Sequence, residues 1–254
     1  MFTQCPKCGH QPLPRNQALP AACPACGVIL AKLVQTPRRV ETHKETDPDA
    51  PDTKAMRPTP ASLLFYVPPR VDSMLWWLRL ALLAVFALWG MVLIRMDYRD
   101  GEIGASFIHR PLLVFHEAGH VAFALFGHWV YVLGGSLGQL LMPAILCGAL
   151  LLKNRDPFGA SIGLWLVGIS LVDLAPYMYD SLHPQLTLLS GGTGEEGGHD
   201  WIYLFSSMGL LAKSQVIGAL AHKVGALIVA LALAWGGRVL WLQHARIDGH
   251  VLHE

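Results

Sequence analysis

The chain has 254 residues, of which 53% are hydrophobic and only 15% charged, and its formal net charge is +1. So even a charge balance gives no electrostatic basis for binding nucleic acid or strongly acidic partners. The charged residues crowd into the first third, so the average hides two different polymers, a polar N-terminal part and a membrane part of about 180 residues.

The N-terminal part opens with Cys5-Pro-Lys-Cys8-Gly and Cys23-Pro-Ala-Cys26-Gly, two knuckles of one pattern separated by 14 residues. Each Cys-x-x-Cys turn offers two thiolates to one ion, and two turns complete a tetrahedral, four-thiolate zinc site. Four thiolates leave no position open for chemistry, so this Zn²⁺ is expected to be structural. Gly9 and Gly27 follow the pairs, where the turn needs a residue free of the Cβ constraint. Residues 1–35 resemble a zinc ribbon, which implies a reducing, cytoplasmic setting. Met1 to Gln35 also lacks the apolar run of a cleavable signal peptide. Residues 36–72 are rich in proline and charge, cannot bury enough apolar area to fold alone, and read as a disordered tether.

Residues 73–254 read as a multi-pass bundle of transmembrane helices, so the expected fold class is mainly α with a small N-terminal ribbon module. Met74 to Ile94 is long enough to span a bilayer, with Arg79 positioned to snorkel toward the head groups. Pro111 to Tyr131, PLLVFHEAGHVAFALFGHWVY, reads as an apolar helix. Gly134 to Leu152, Phe158 to Tyr179 and Val216 to Leu242 are further apolar segments. The small residues Gly134-Gly135-Ser136-Leu137-Gly138 predict close helix packing. Five spans starting from a cytoplasmic ribbon would leave Arg238 and Arg246 outside, against the positive-inside tendency, unless one segment is re-entrant. The Gly192-Thr-Gly194-Glu-Glu-Gly197 run has the spacing of a dinucleotide fingerprint but no preceding strand, and reads as a loop.

His116, Glu117 and His120 spell H-E-x-x-H inside the Pro111 to Tyr131 helix. Histidines four residues apart share a helix face and can reach one metal, while the glutamate can act on water as general base. Ionisable groups inside an apolar segment mark a functional site by default. Two histidines do not complete a zinc site. A third histidine six residues after His120 is missing, since that position is Phe126, and the next glutamate is Glu195 in a glycine-rich loop. What remains is aspartate: Asp173 and Asp180 around Pro176, or Asp200 beside His199, just before a short amphipathic stretch. Pro176 should kink its helix, and Asp200 is equally well placed as a helix N-cap.

An intramembrane H-E-x-x-H helix with a later aspartate near a Pro- or Gly-marked break resembles the site-2 protease family of intramembrane zinc metalloproteases, in a divergent, minimal branch. The resemblance covers about residues 112–242. It implies a Zn²⁺ held by His116, His120 and an aspartate, first Asp200, with Asp180, His199 and Asp173 as alternatives, and Glu117 as the catalytic base. It implies hydrolysis of transmembrane or membrane-proximal peptides, in a bacterial inner membrane with the ribbon on the cytoplasmic side, where it could bind a cytosolic protein. The residues by themselves also accommodate a membrane zinc hydrolase of a lipid amide, or a non-enzymatic adaptor whose ribbon alone binds zinc.

Overall fold

The computed structural model describes residues 2–14, 21–30 and 59–247. The tether lies outside the described residues over 36–58, as do 15–20, 31–35 and the C-terminal 248–254. Two compact units are present, Met1–Met56 and Arg57–Glu254.

The first unit holds two copies of one local design. The amide of Gly9 donates to the Cys5 carbonyl and that of Gly27 to the Cys23 carbonyl, both at 2.9 Å. Each glycine has a positive φ, 76° and 70°, which a Cβ would disfavour. The turns bring Cys5 Sγ to 3.7 Å from Cys26 and Cys8 Sγ to 3.8 Å from Cys23, far beyond the roughly 2 Å of a disulfide. All four sulfurs lie within 4.8 Å of one another and could hold one metal ion, an arrangement compatible with a zinc ribbon. Burial works against ionising Cys5, but amide donors from Cys8 and Lys7 outweigh it and bring its thiol down to about 6.

The second unit is helical: α1 (Pro60–Leu64), α2 (Ser73–Arg95), α3 (His109–Phe123), α4 (His128–Leu152), α5 (Pro157–Asp180), α6 (Asp200–Ser207) and α7 (Ser214–Ile247). Among the described residues four helices are long and apolar enough to cross a membrane: α2, α4, α5 and the stretch Leu211–Ile247. This chain is therefore a membrane protein by length and composition of its helices. Helix α5 is the central one, with most of its length buried. Trp165, Ile169 and Val172 of α5 pack with Val229 and Ala232 of α7 and Leu93 of α2 in one apolar cluster.

Several expectations change here. The segment Pro111 to Tyr131 is not one helix. It ends at Phe123, passes through a single tight turn and restarts after Gly127, whose φ of 88° and ψ of 161° no β-carbon-bearing residue adopts readily. At 15 residues, α3 extends only about 22 Å, short of the roughly 30 Å hydrocarbon core, so it does not count as a span. The end of the stretch read as tether is folded: Thr59 caps α1, Trp235 donates to the Leu64 carbonyl at 2.8 Å, and Arg246 donates to that of Val67 at 2.8 Å. Arg79, at the start of α2, pairs with Asp156 at 3.3 Å and reaches Gln243 at 3.4 Å.

These last contacts also order the ends of the bundle. Trp76 donates to the Leu240 carbonyl at 2.9 Å, so the start of α2 meets the end of α7. Asp156, ahead of α5, joins the same end through Arg79. The start of α2, the residue ahead of α5 and the end of α7 thus share one end of the bundle, and Arg238 and Arg246 lie toward that end of α7.

Helices α3 and α4 touch main chain to main chain. A Cβ built on Gly119 would collide with the Gly134 carbonyl, and one on Gly138 would lie 2.5 Å from the Phe115 carbonyl. Gly119→Ala is expected to cost at least the roughly 1–3 kcal/mol typical of overpacking. Gly104→Ala, where a Cβ meets nothing within 4 Å, is expected to be neutral. Thermal unfolding of the two variants in detergent compares them directly.

Candidate metal centre

The α3–α4 contact sets the height of the site. His116 and His120 share one face of α3, and their rings lie 5.0 Å apart, edge to face. They lean on α4 at Gly135, where a Cβ would sit 2.5 Å from His116 Nε2 and 2.5 Å from His120 Nε2. Glycine there leaves a cradle in front of both nitrogens.

The third side of the cradle is Asp200. Its Oδ2 lies 3.0 Å from His116 Nε2 and 3.2 Å from His120 Nε2. His116, His120 and Asp200 form a group whose ligand atoms lie within 4.8 Å of one another and could hold a metal ion. Burial works to raise the Asp200 carboxyl, but the two imidazoles beside it outweigh that and hold the group below its ordinary range.

Asp200 is free to turn inward because it is not the N-cap. That place belongs to His199, whose Nδ1 accepts from the Ile202 amide at 3.3 Å, leaving Asp200 as the first residue of α6. The Asp200 amide donates to the Tyr177 hydroxyl at 2.9 Å, which ties the start of α6 to α5, and the Tyr177 ring stacks on His199 with centroids 4.2 Å apart. Trp201, Leu204 and Phe205 seat α6 against Leu174, Ala175 and Met178 of α5.

The other aspartates stand elsewhere. Asp180 accepts from the amides of Gln185 at 2.8 Å and Leu186 at 3.2 Å, and its Oδ2 lies 3.5 Å from His199 Nε2. It fastens the start of the 182–199 loop. Asp173 is one layer behind the site, accepting from His109 Nδ1 at 2.9 Å and from Gln139 Nε2 at 2.7 Å. Gln139 Oε1 in turn meets His116 Nδ1 at 3.1 Å, and His120 Nδ1 donates to the Tyr131 carbonyl at 2.9 Å. His128 and His222 take no part in the cluster; their rings pack on tyrosines, His128 on Tyr203 and His222 on Tyr98.

A cavity of about 840 Å³ opens over the cluster. Glu117 lines it beside the two histidines, as do Tyr177 and Tyr203, and the loop from Leu186 to Ser190 walls one side. The glycine-rich run is part of that loop's return: Gly194 packs closely on His199 and Pro184.

The donor set fits a divalent metal on this structure's own terms. With Nδ1–H of His120 committed to a carbonyl, its Nε2 presents a lone pair to an ionised carboxylate, an arrangement stabilised by a cation between them. Two imidazoles and one carboxylate, each oriented by a further partner, suit zinc with one position left open.

Gln139, Tyr177 and His109 are residues of the site that the motif and its spacing do not single out. Gln139 carries a signal, as a lone amide in an otherwise apolar run, and so does His109, seven residues before His116 on the same helix face. Comparison with protein-family models, with curated proteins and with solved structures returns no match.

Gly135→Ala is expected to fill the cradle and abolish metal binding by the His–His–Asp cluster while leaving the four-thiol site untouched. Metal content per chain in the full-length protein, read by elemental analysis, should fall by one ion.

Proposed function

We propose that this protein is a membrane-embedded zinc metalloprotease that hydrolyses peptide bonds of transmembrane or membrane-proximal substrates. The single observation that carries the reading is the convergence of His116, His120 and Asp200 on one point, with Glu117 on the wall of the same cavity. The peptide substrate rests on the resemblance of the H-E-x-x-H helix and its late aspartate to site-2 proteases.

Zinc held by His116, His120 and Asp200 would supply a Lewis acid and lower the pKa of a bound water toward neutrality. Glu117 follows His116 directly and faces the open cavity, where it can take a proton from the attacking water and deliver it to the leaving nitrogen. Its side chain lines the same cavity as His120 and Tyr177. Gln139 and the Tyr131 carbonyl hold the two imidazoles, and Tyr177 holds the backbone of Asp200, so the chain's contribution is orientation as much as charge. The cavity volume of about 840 Å³ lies within the range of pockets that enclose a ligand of drug size, so a substrate helix would unwind and offer a short extended segment. Walls of protein rather than lipid give water its way to the site.

The ribbon's four thiols would hold a second, structural Zn²⁺. A bacterial inner membrane, with the ribbon in the cytoplasm, suits this architecture. Arg238 and Arg246 then fall on the cytoplasmic side with the start of α2, in keeping with the positive-inside tendency.

Glu117→Gln is expected to keep two zinc ions per chain and to lose about 10²- to 10⁴-fold in turnover, the usual contribution of a general acid–base group. The test is cleavage of membrane peptides by the purified, zinc-loaded protein in lipid nanodiscs, paired with analysis of what accumulates in cells carrying the variant. Unchanged cleavage would sink the mechanism. Accumulation of a lipid amide in place of a peptide would redirect the substrate.

A further inference from the structure

Behind His116 runs a chain of hydrogen bonds that the metal cluster itself does not require for completeness. It starts on the cavity wall at His109, passes through Asp173 of α5 and Gln139 of α4, and ends on the far nitrogen of His116. Asp173 and Gln139 are buried, at 6% and 2% exposure, at the inner wall of the cavity.

The polarity of this chain is determined at one link. The Gln139 Nε2 amide donates to one Asp173 oxygen at 2.7 Å, and the other oxygen meets His109 Nδ1 at 2.9 Å. The Gln139 amide is thereby turned with its NH₂ toward Asp173 and its carbonyl oxygen toward His116. A carbonyl oxygen can only accept as well, so the proton between Gln139 and His116 sits on His116 Nδ1. A neutral imidazole protonated at Nδ1 has its lone pair on Nε2, the atom that faces Asp200 and His120. Were the amide reversed, its NH₂ would face Nδ1, and the ring proton would move to Nε2, where a metal belongs.

We propose that Asp173 and Gln139 are positioning residues: the buried relay His109–Asp173–Gln139 fixes His116 as the tautomer whose Nε2 can bind metal. This rests on the zinc site proposed above. It assigns Asp173 a different function from that of a ligand. The acid sets the direction of an amide, and the amide sets the direction of a histidine.

The relay makes an exchange of functional groups testable. In Asp173→Asn two amides face each other and neither orientation is imposed. In Gln139→Glu two carboxylates face each other across the link that now measures 2.7 Å. In the double variant, Asp173→Asn with Gln139→Glu, the acid and the amide have traded places. The carboxylate introduced on α4 accepts from His116 Nδ1 and from the NH₂ of the amide introduced on α5. That amide's carbonyl accepts from His109, so every link regains a donor and an acceptor. Both substitutions are nearly isosteric, which keeps the packing volume constant.

The experiment is chelator competition for zinc on the full-length protein in detergent, with the ribbon's ion as internal reference, read as zinc ions retained per chain. Each single variant is expected to bind the membrane-domain zinc about 10- to 100-fold more weakly, the usual effect of losing a partner of a metal-bound histidine. The double variant is expected to recover to within about threefold of the native chain. Native-like zinc binding in both singles would overturn the relay, and so would losses that simply add in the double variant. If a single variant fails to fold, the folded double variant decides by whether it holds the second zinc. A native chain that holds only the ribbon's ion would instead refute the zinc site itself.

Discussion

Helices α3 and α4 meet at glycine, and most of the site depends on that contact. With Gly134 offering its carbonyl where a Cβ of Gly119 would be, the two main chains lie as close as helices can. Only at that separation can the imidazoles of His116 and His120 lie over Gly135 without meeting a side chain. The same closeness lets His120 reach a main-chain carbonyl of α4 and His116 reach Gln139. Larger residues would push α3 outward and carry both histidines away from α5 and α6, which supply the rest of the cluster.

The bundle also has to accommodate charged groups in an apolar setting, and three of them are held by specific partners. Asp173 lies between His109 and Gln139, Asp180 accepts from two loop amides, and Arg79 lies between Asp156 and Gln243. An unpaired charge there would be costly, whereas satisfied networks rigidify what they connect. Each network also has a place in the architecture. Arg79 joins the ends of α2, α5 and α7 at one end of the bundle, Asp180 fastens the loop over the cavity, and Asp173 lies behind the His–His–Asp cluster. Asp200 differs from these in that its partners are the two histidines that face the cavity.

Much of this organisation is legible along the chain. The apolar segments give α2 and α5 almost to the residue, because a run long enough to cross a bilayer is a strong one-dimensional signal. The two cysteine knuckles are equally plain, since each is made by a few adjacent residues. The break after Phe123 escapes such a reading because hydropathy is blind to φ: Gly127 sits in an apolar run yet ends one helix and starts another. For the same reason the H-E-x-x-H segment looks like a span and is not one. Residues 59–72 look like tether because their partners are distant: Trp235 lies 171 positions from Leu64, and Arg246 lies 179 from Val67.

By itself the sequence determined that this is a helical membrane protein with a four-thiol module and an H-E-x-x-H helix, because each of these is written in residues that are neighbours on the chain. Local spacing put His116 and His120 on one face and Glu117 beside them. It left Asp173, Asp180 and Asp200 as competing candidates for a place beside the histidines, since all three are acids near a helix break. Only the tertiary structure separated them. Asp200 reaches the histidines because His199 takes the cap and Tyr177 holds the amide, which turns one carboxylate inward. Asp173 and Asp180 are committed to other donors within the bundle. Which acid faces the cavity depends on where α5 and α6 sit against α3, and that is set by packing between segments far apart in the sequence.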